Sequence, residues 1–97
     1  MTDKQLVLVV DDDPDLVESV SMKLESENYR VSKAYDGIEA WEKIREERPE
    51  LVILDVMMPQ MDGFELLAHI MEHYPAIPVI MITGYSTPEM ELLARQG

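Results

Sequence analysis

The chain has 97 residues, with 20 acids against 8 lysines and arginines and a net charge of −12; that size is one domain, and so negative a surface repels phosphate backbones, so this segment is not expected to bind nucleic acid. An apolar content of 46% excludes disorder, and the lack of cysteine removes disulfides and thiolate metal sites. No apolar run approaches the roughly 20 residues that cross a bilayer, and the opening MTDKQLVLVV lacks the basic region and cleavage site of a signal peptide, so a soluble cytoplasmic protein is expected.

Leu6 to Val10 (LVLVV) is the first apolar run and reads as a buried strand. It ends at Asp11-Asp12-Asp13-Pro14, where Asp13 is suited to cap a helix and Pro14 to begin it. Leu16, Val17, Val20 and Leu24 follow at helical spacing, giving a helix to about Asn28. Tyr29 to Ala34 is β-rich and alternating, and Asp36-Gly37 is a turn signal. Ile38, Trp41 and Ile44 predict a second helix to about Glu47, stopped by Pro49.

Leu51 to Leu54 is an unbroken apolar run that delivers one carboxylate, Asp55, before the chain breaks at Pro59 and restarts at Asp62-Gly63. Phe64, Leu67, Ile70 and Met71 predict a third helix ending before Pro75. Val79 to Ile82 is a fourth strand, followed by Thr83-Gly84. Thr87 and Pro88 open a fourth helix through Met90, Leu93 and Ala94, with Gly97 at its C-cap.

The alternation βαβαβαβα with short loops predicts an α/β fold, a doubly wound parallel sheet with helices on both faces. Right-handed crossovers leave few topologies, and the expected strand order is 2-1-3-4. That order sets the ends of strands 1 and 3 side by side, which is where open α/β sheets bind ligands. Asp11, Asp12, Asp55 and Thr83 then share one rim.

Carboxylates that close raise one another's pKa or recruit a cation. A hard ion with oxygen ligands, Mg²⁺, suits them. A metal-neutralised carboxylate beside a phosphate donor is a nucleophile that forms an aspartyl phosphate. Plainer readings exist for each residue. Capping explains one acid, Asp13, and not three. A calcium loop fails because Leu16 stands where a glycine is needed and Met22 where the closing glutamate belongs. Asp62-Gly63 reads as turn and cap. His69 and His73 lie four apart near the end of helix 3 with no third ligand evident, and read as a solvated helix face. Trp41 and Tyr74 read as packing, and Tyr85 reads equally as a mobile loop aromatic or as a partly exposed packing residue.

Three segments carry a resemblance to the receiver domains of bacterial two-component response regulators: Val9-Val10-Asp11-Asp12-Asp13-Pro14, Asp55-Val56-Met57-Met58-Pro59-Gln60-Met61-Asp62-Gly63 and Pro78-Val79-Ile80-Met81-Ile82-Thr83-Gly84. Their order and spacing match the family along the whole chain. The resemblance implies that Asp55 takes a phosphoryl group from a histidine kinase or phosphotransfer protein. It implies that Asp12, Asp55 and the Met57 main-chain carbonyl bind Mg²⁺ directly, Asp11 through water, and that Thr83 hydrogen-bonds the phosphoryl group and switches the following loop.

Receivers of this family continue with a fifth strand and helix and a lysine that pairs with the phosphoryl group. No lysine here matches, Lys23, Lys33 and Lys43 falling on early elements, so a single receiver domain truncated after its fourth helix is expected over 1–97. An exposed strand-4 edge of four apolar residues then favours self-association. Other functions fit less well. A phosphohydrolase of the dehalogenase type needs a second aspartate where Met57 stands. A nucleotide-binding domain needs a glycine-rich loop where three aspartates stand. A receiver-fold interaction module without phosphorylation remains the alternative.

Overall fold

The computed structural model describes residues 4–55 and 63–82. In chain order these form β1 (Leu6–Val10), α1 (Pro14–Ser26), β2 (Arg30–Ala34), α2 (Gly37–Glu47), β3 (Leu51–Asp55), α3 (Gly63–His73) and β4 (Val79–Ile82). The strands make one parallel sheet in the order β2-β1-β3-β4. The expected topology is therefore the observed one. The fourth helix expected from Thr87 lies outside the described residues.

Side-chain alternation along β1 divides the core between two faces. Leu8 and Val10 join Ala34, Ala40, Ile44, Val52, Leu54, Leu66 and Ile70 under α2 and α3. Val7 and Val9 join Val17 under α1. A central strand buried on both faces has no place for a polar side chain, so its first carboxylate comes where the strand ends.

Local chemistry sets the helix ends. Asp13 caps α1, its side chain accepting from the N–H groups of Asp15 (3.0 Å) and Leu16 (3.4 Å), with Pro14 in the first turn. The helix closes at Ser26, short of the expected Asn28. The N–H groups of Glu27, Asn28 and Tyr29 turn back onto carbonyls of the last turn, and Asn28 takes a left-handed φ of 76°. Asparagine tolerates that conformation better than most residues. β2 accordingly begins at Arg30 and not Tyr29.

Asp36 does more than turn the chain. Its carboxylate accepts from Glu39 N (2.7 Å), while Glu39 Oε1 accepts from Tyr35 N (2.7 Å), a reciprocal cap that starts α2 at Gly37.

The helices seat most of the stripe their apolar spacing suggests, Val17, Val20 and Leu24 of α1, Trp41 and Ile44 of α2, and Leu67 and Ile70 of α3, and leave its outer members in water. α2 buries Gly37, Ala40 and Ile44 and leaves Ile38 exposed. α3 buries Gly63, Leu66 and Ile70, with Phe64 54% and Met71 62% exposed. α1 buries Val17 and Ser21 and exposes Leu16. Small residues, Gly37, Ala40, Gly63 and Ser21, are buried beside the large ones, Val17, Ile44, Leu66 and Ile70.

Candidate functional site

Sheet register builds the site. Val10 pairs with Ala34 on one side and Leu54 on the other, so β1 and β3 end level. Asp11 N still donates to Ala34 O at 3.2 Å, which extends β1 by one bond and fixes where the Asp11 side chain departs. Asp55 is the last residue of β3 and pairs with Ile82, the residue before Thr83 in sequence.

Each of the three consecutive aspartates has its own task. Asp11 is buried at 3% exposure, and its Oδ1 accepts from Asp13 N at 2.9 Å. Asp12 is exposed on the rim. Asp13 is occupied as the α1 cap. Asp55 is 8% exposed. Carboxylate oxygens of Asp11, Asp12 and Asp55 lie within 4.8 Å of one another, so the folded chain gathers the three acids that the sequence assigns to one rim. Met57 and Thr83 lie outside the described residues, as do Asp62 and Tyr85.

Crowding has an electrostatic consequence. Burial is the main cause that pushes the Asp11 carboxyl up, to about 7 from an ordinary 3.8; the Asp13 N–H opposes it, and the neighbouring Asp55 and Asp12 carboxylates add to it. A cation would relieve the same strain. The donor set consists of hard carboxylate oxygens, two buried and one facing water, without nitrogen or sulfur. Such a set suits Mg²⁺, which keeps several waters and takes one or two carboxylates. The residues present therefore fit that ion.

Lys33 sits on β2 with its Nζ 2.7 Å from Glu18 Oε2, and Lys23 lies near Glu27 on α1. Neither belongs to the carboxylate cluster. The histidine pair on α3 is exposed, as expected, but Glu72 stands within 4.8 Å of both ligand atoms, a third partner that the four-residue spacing alone does not reveal.

The sequence profile of the response regulator receiver domain matches residues 7–96. The response regulator GtcR of Aneurinibacillus migulanus is 38% identical over 87 residues, covering 90% of this chain and 36% of that protein. The probable transcriptional regulatory protein TcrX of Mycobacterium tuberculosis is 42% identical over 83 residues, 86% of this chain and 36% of its own length. The chain thus spans about a third of these relatives. A CheY-like receiver domain protein from Methanospirillum hungatei superposes with a TM-score of 0.85 at 33% identity, over 97% of this chain and 75% of that one. A CheX-CheY-BeF3-Mg complex from Borrelia burgdorferi gives 0.83 at 32% identity, over 93% and 72%.

Proposed function

The chain belongs to the response regulator receiver domain family, and from that premise we propose that Asp55 is its phosphoacceptor, served by Mg²⁺ held at Asp11, Asp12, Asp55 and the Met57 main-chain carbonyl. The observation that carries this reading is the convergence of the Asp11, Asp12 and Asp55 oxygens within 4.8 Å at the level ends of β1 and β3.

In this reading an Asp55 carboxylate oxygen attacks phosphorus, and the O–P bond forms as the donor's bond to phosphorus breaks. From a histidine kinase or phosphotransfer protein, that is an N–P bond, and the imidazole leaves and takes up a proton. Bound Mg²⁺ supplies neutralising charge for the phosphoryl oxygens. Asp11, held by the Asp13 N–H, sets the charge of the pocket. Asp12 faces water and the incoming donor. Thr83 donates a hydrogen bond to the phosphoryl group and biases the loop that follows it.

The domain signals and does not turn over substrate, because Met57 occupies the place where a dehalogenase-type phosphohydrolase keeps its acid. It works in the cytoplasm, with residues 7–96 as receiver-domain sequence. Relatives named as transcriptional regulatory proteins support a role as the switch of such a regulator. The edge of β4 is a place for self-association. Among the described residues no strand covers it, and Ile80 is 44% exposed there. The opposite edge strand, β2, carries Arg30 and Lys33, charges of the kind that discourage pairing.

The test is intact-mass and peptide mapping after incubation with a small acyl phosphate. One phosphoryl adduct on Asp55 is expected with Mg²⁺, none with chelator and none in Asp55→Asn. An adduct that persists in Asp55→Asn at wild-type level contradicts the assignment. Sedimentation of the chain at rising concentration tests the edge: an associating species is expected, and a strict monomer counts against it.

A further inference from the structure

A second cluster of metal-binding side chains lies apart from the carboxylate rim, on the last turns of α3. His69, Glu72 and His73 stand at positions i, i+3 and i+4, one face of the helix. Their ligand atoms lie within 4.8 Å of one another, and all three are exposed. We propose that His69, Glu72 and His73 form a binding site for a divalent transition-metal ion such as Zn²⁺, Ni²⁺ or Cu²⁺.

Two features make this more than two solvated histidines. The rings are held in place before any ion arrives. His69 and His73 lie nearly parallel, 20° apart with centroids separated by 6.4 Å. Both rest against Trp41 of α2, at 5.4 Å and 5.6 Å. Trp41 is itself anchored, packed on the core and against Tyr74 at 5.8 Å. Rings braced by a packed neighbour lose less freedom when they converge on an ion. The site also occupies the C-terminal turns of α3, where unpaired carbonyls give a negative end that favours a cation.

The donor set decides the ion. Two imidazoles and one carboxylate suit Zn²⁺, Ni²⁺ and Cu²⁺, and leave a fourth position to water or to a ligand from another molecule. Mg²⁺ prefers oxygen and is a poor competitor here. The two clusters therefore sort ions by chemistry, hard ions to the strand rim and borderline ions to α3. An ion at α3 also sits beside the α2–α3 contact through Trp41, so its arrival is felt by both helices.

The chain holds one tryptophan and two histidines, so the readouts are unambiguous. The test titrates Cu²⁺ against Trp41 emission in excess Mg²⁺, and Zn²⁺ against the imidazole proton resonances. Expected are saturable quenching at one Cu²⁺ per chain, reversal by a chelator such as EDTA, and joint movement of both histidine signals under Zn²⁺. Loss of even an outer partner of a metal ligand costs about 10–100-fold, so His69→Gln and His73→Gln should each weaken binding by at least roughly tenfold; Glu72→Gln should weaken it too. These are exposed positions, and circular dichroism checks that each variant folds. Quenching that never saturates, equal affinity in His69→Gln, or histidine signals that stay still under Zn²⁺ would each overturn the proposal.

Discussion

Replacing Asp11 by asparagine separates the electrostatic cost of the carboxylate rim from its shape. Asparagine keeps an oxygen to accept the Asp13 N–H, which Asp11 holds at 2.9 Å, and removes the charge. Burial, with the Asp55 and Asp12 carboxylates adding to it, pushes the Asp11 carboxyl of the folded chain up to about 7 from an ordinary 3.8. Between those two values the folded state binds a proton that the unfolded state has lost. Stability therefore falls as pH rises through that window, and is lowest above the folded pKa. At about 1.4 kcal/mol per pKa unit, the full displacement sets a ceiling on the order of 4 kcal/mol, and because Asp11 shares the effect with Asp55 and Asp12 at a water-facing rim, a fraction of that is expected from Asp11 alone. Asp11→Asn should flatten that decline. In chelator at about pH 8 it should be more stable than wild type by up to that amount, and below about pH 4 nearly equal to it. Urea denaturation followed by far-ultraviolet circular dichroism measures both. Mg²⁺ should reverse the ranking, because it stabilises the wild-type cluster and finds fewer charges in the variant. If wild type and Asp11→Asn show the same slope between those pH values without metal, the reasoning fails.

Ser21 offers a simpler case. Its Oγ is fully buried without a hydrogen-bond partner among the described residues. Ser21→Ala should be neutral or stabilising by up to about 1 kcal/mol in urea denaturation, and a loss larger than that contradicts the packing described. Asp13→Ala should cost about 1 kcal/mol through the lost α1 cap, with most of it restored in Asp13→Asn; equal losses in both would point to charge instead of capping. Ile44→Ala, in the core under α2, should cost about 2–5 kcal/mol, and a cost below 1 kcal/mol would mean the helix is not seated as described.

Strands and topology were legible because burial on both faces forces unbroken apolar runs, as in Leu6–Val10 and Leu51–Leu54. The Asp11, Asp12 and Asp55 cluster followed from that topology, since each acid comes where a run ends. Helix faces were less legible. Periodicity finds the centre of each face, such as Val17, Ile44 and Ile70, but not its edges: Gly37, Ala40, Gly63 and Ser21 are buried while Ile38, Phe64 and Met71 are exposed. Ends set by single dihedrals, such as the left-handed Asn28, leave only a faint trace in sequence. The Asp36–Glu39 cap did leave one, an acid three residues after an acid at a helix start. The third partner of the histidine pair left one too, because Glu72 lies on the same helical face. What no spacing conveys is Trp41, brought to that pair from another helix.

Amide spectra recorded with substoichiometric Mn²⁺ in place of Mg²⁺ test most directly whether the ends of β1 and β3 form one hard-ion pocket. The signals of residues 11–13 and 55 should broaden first, recover when Mg²⁺ is added in excess, and stay sharp in Asp12→Ala. Broadening that leaves Asp11 and Asp55 untouched, or that Mg²⁺ cannot reverse, would contradict the account.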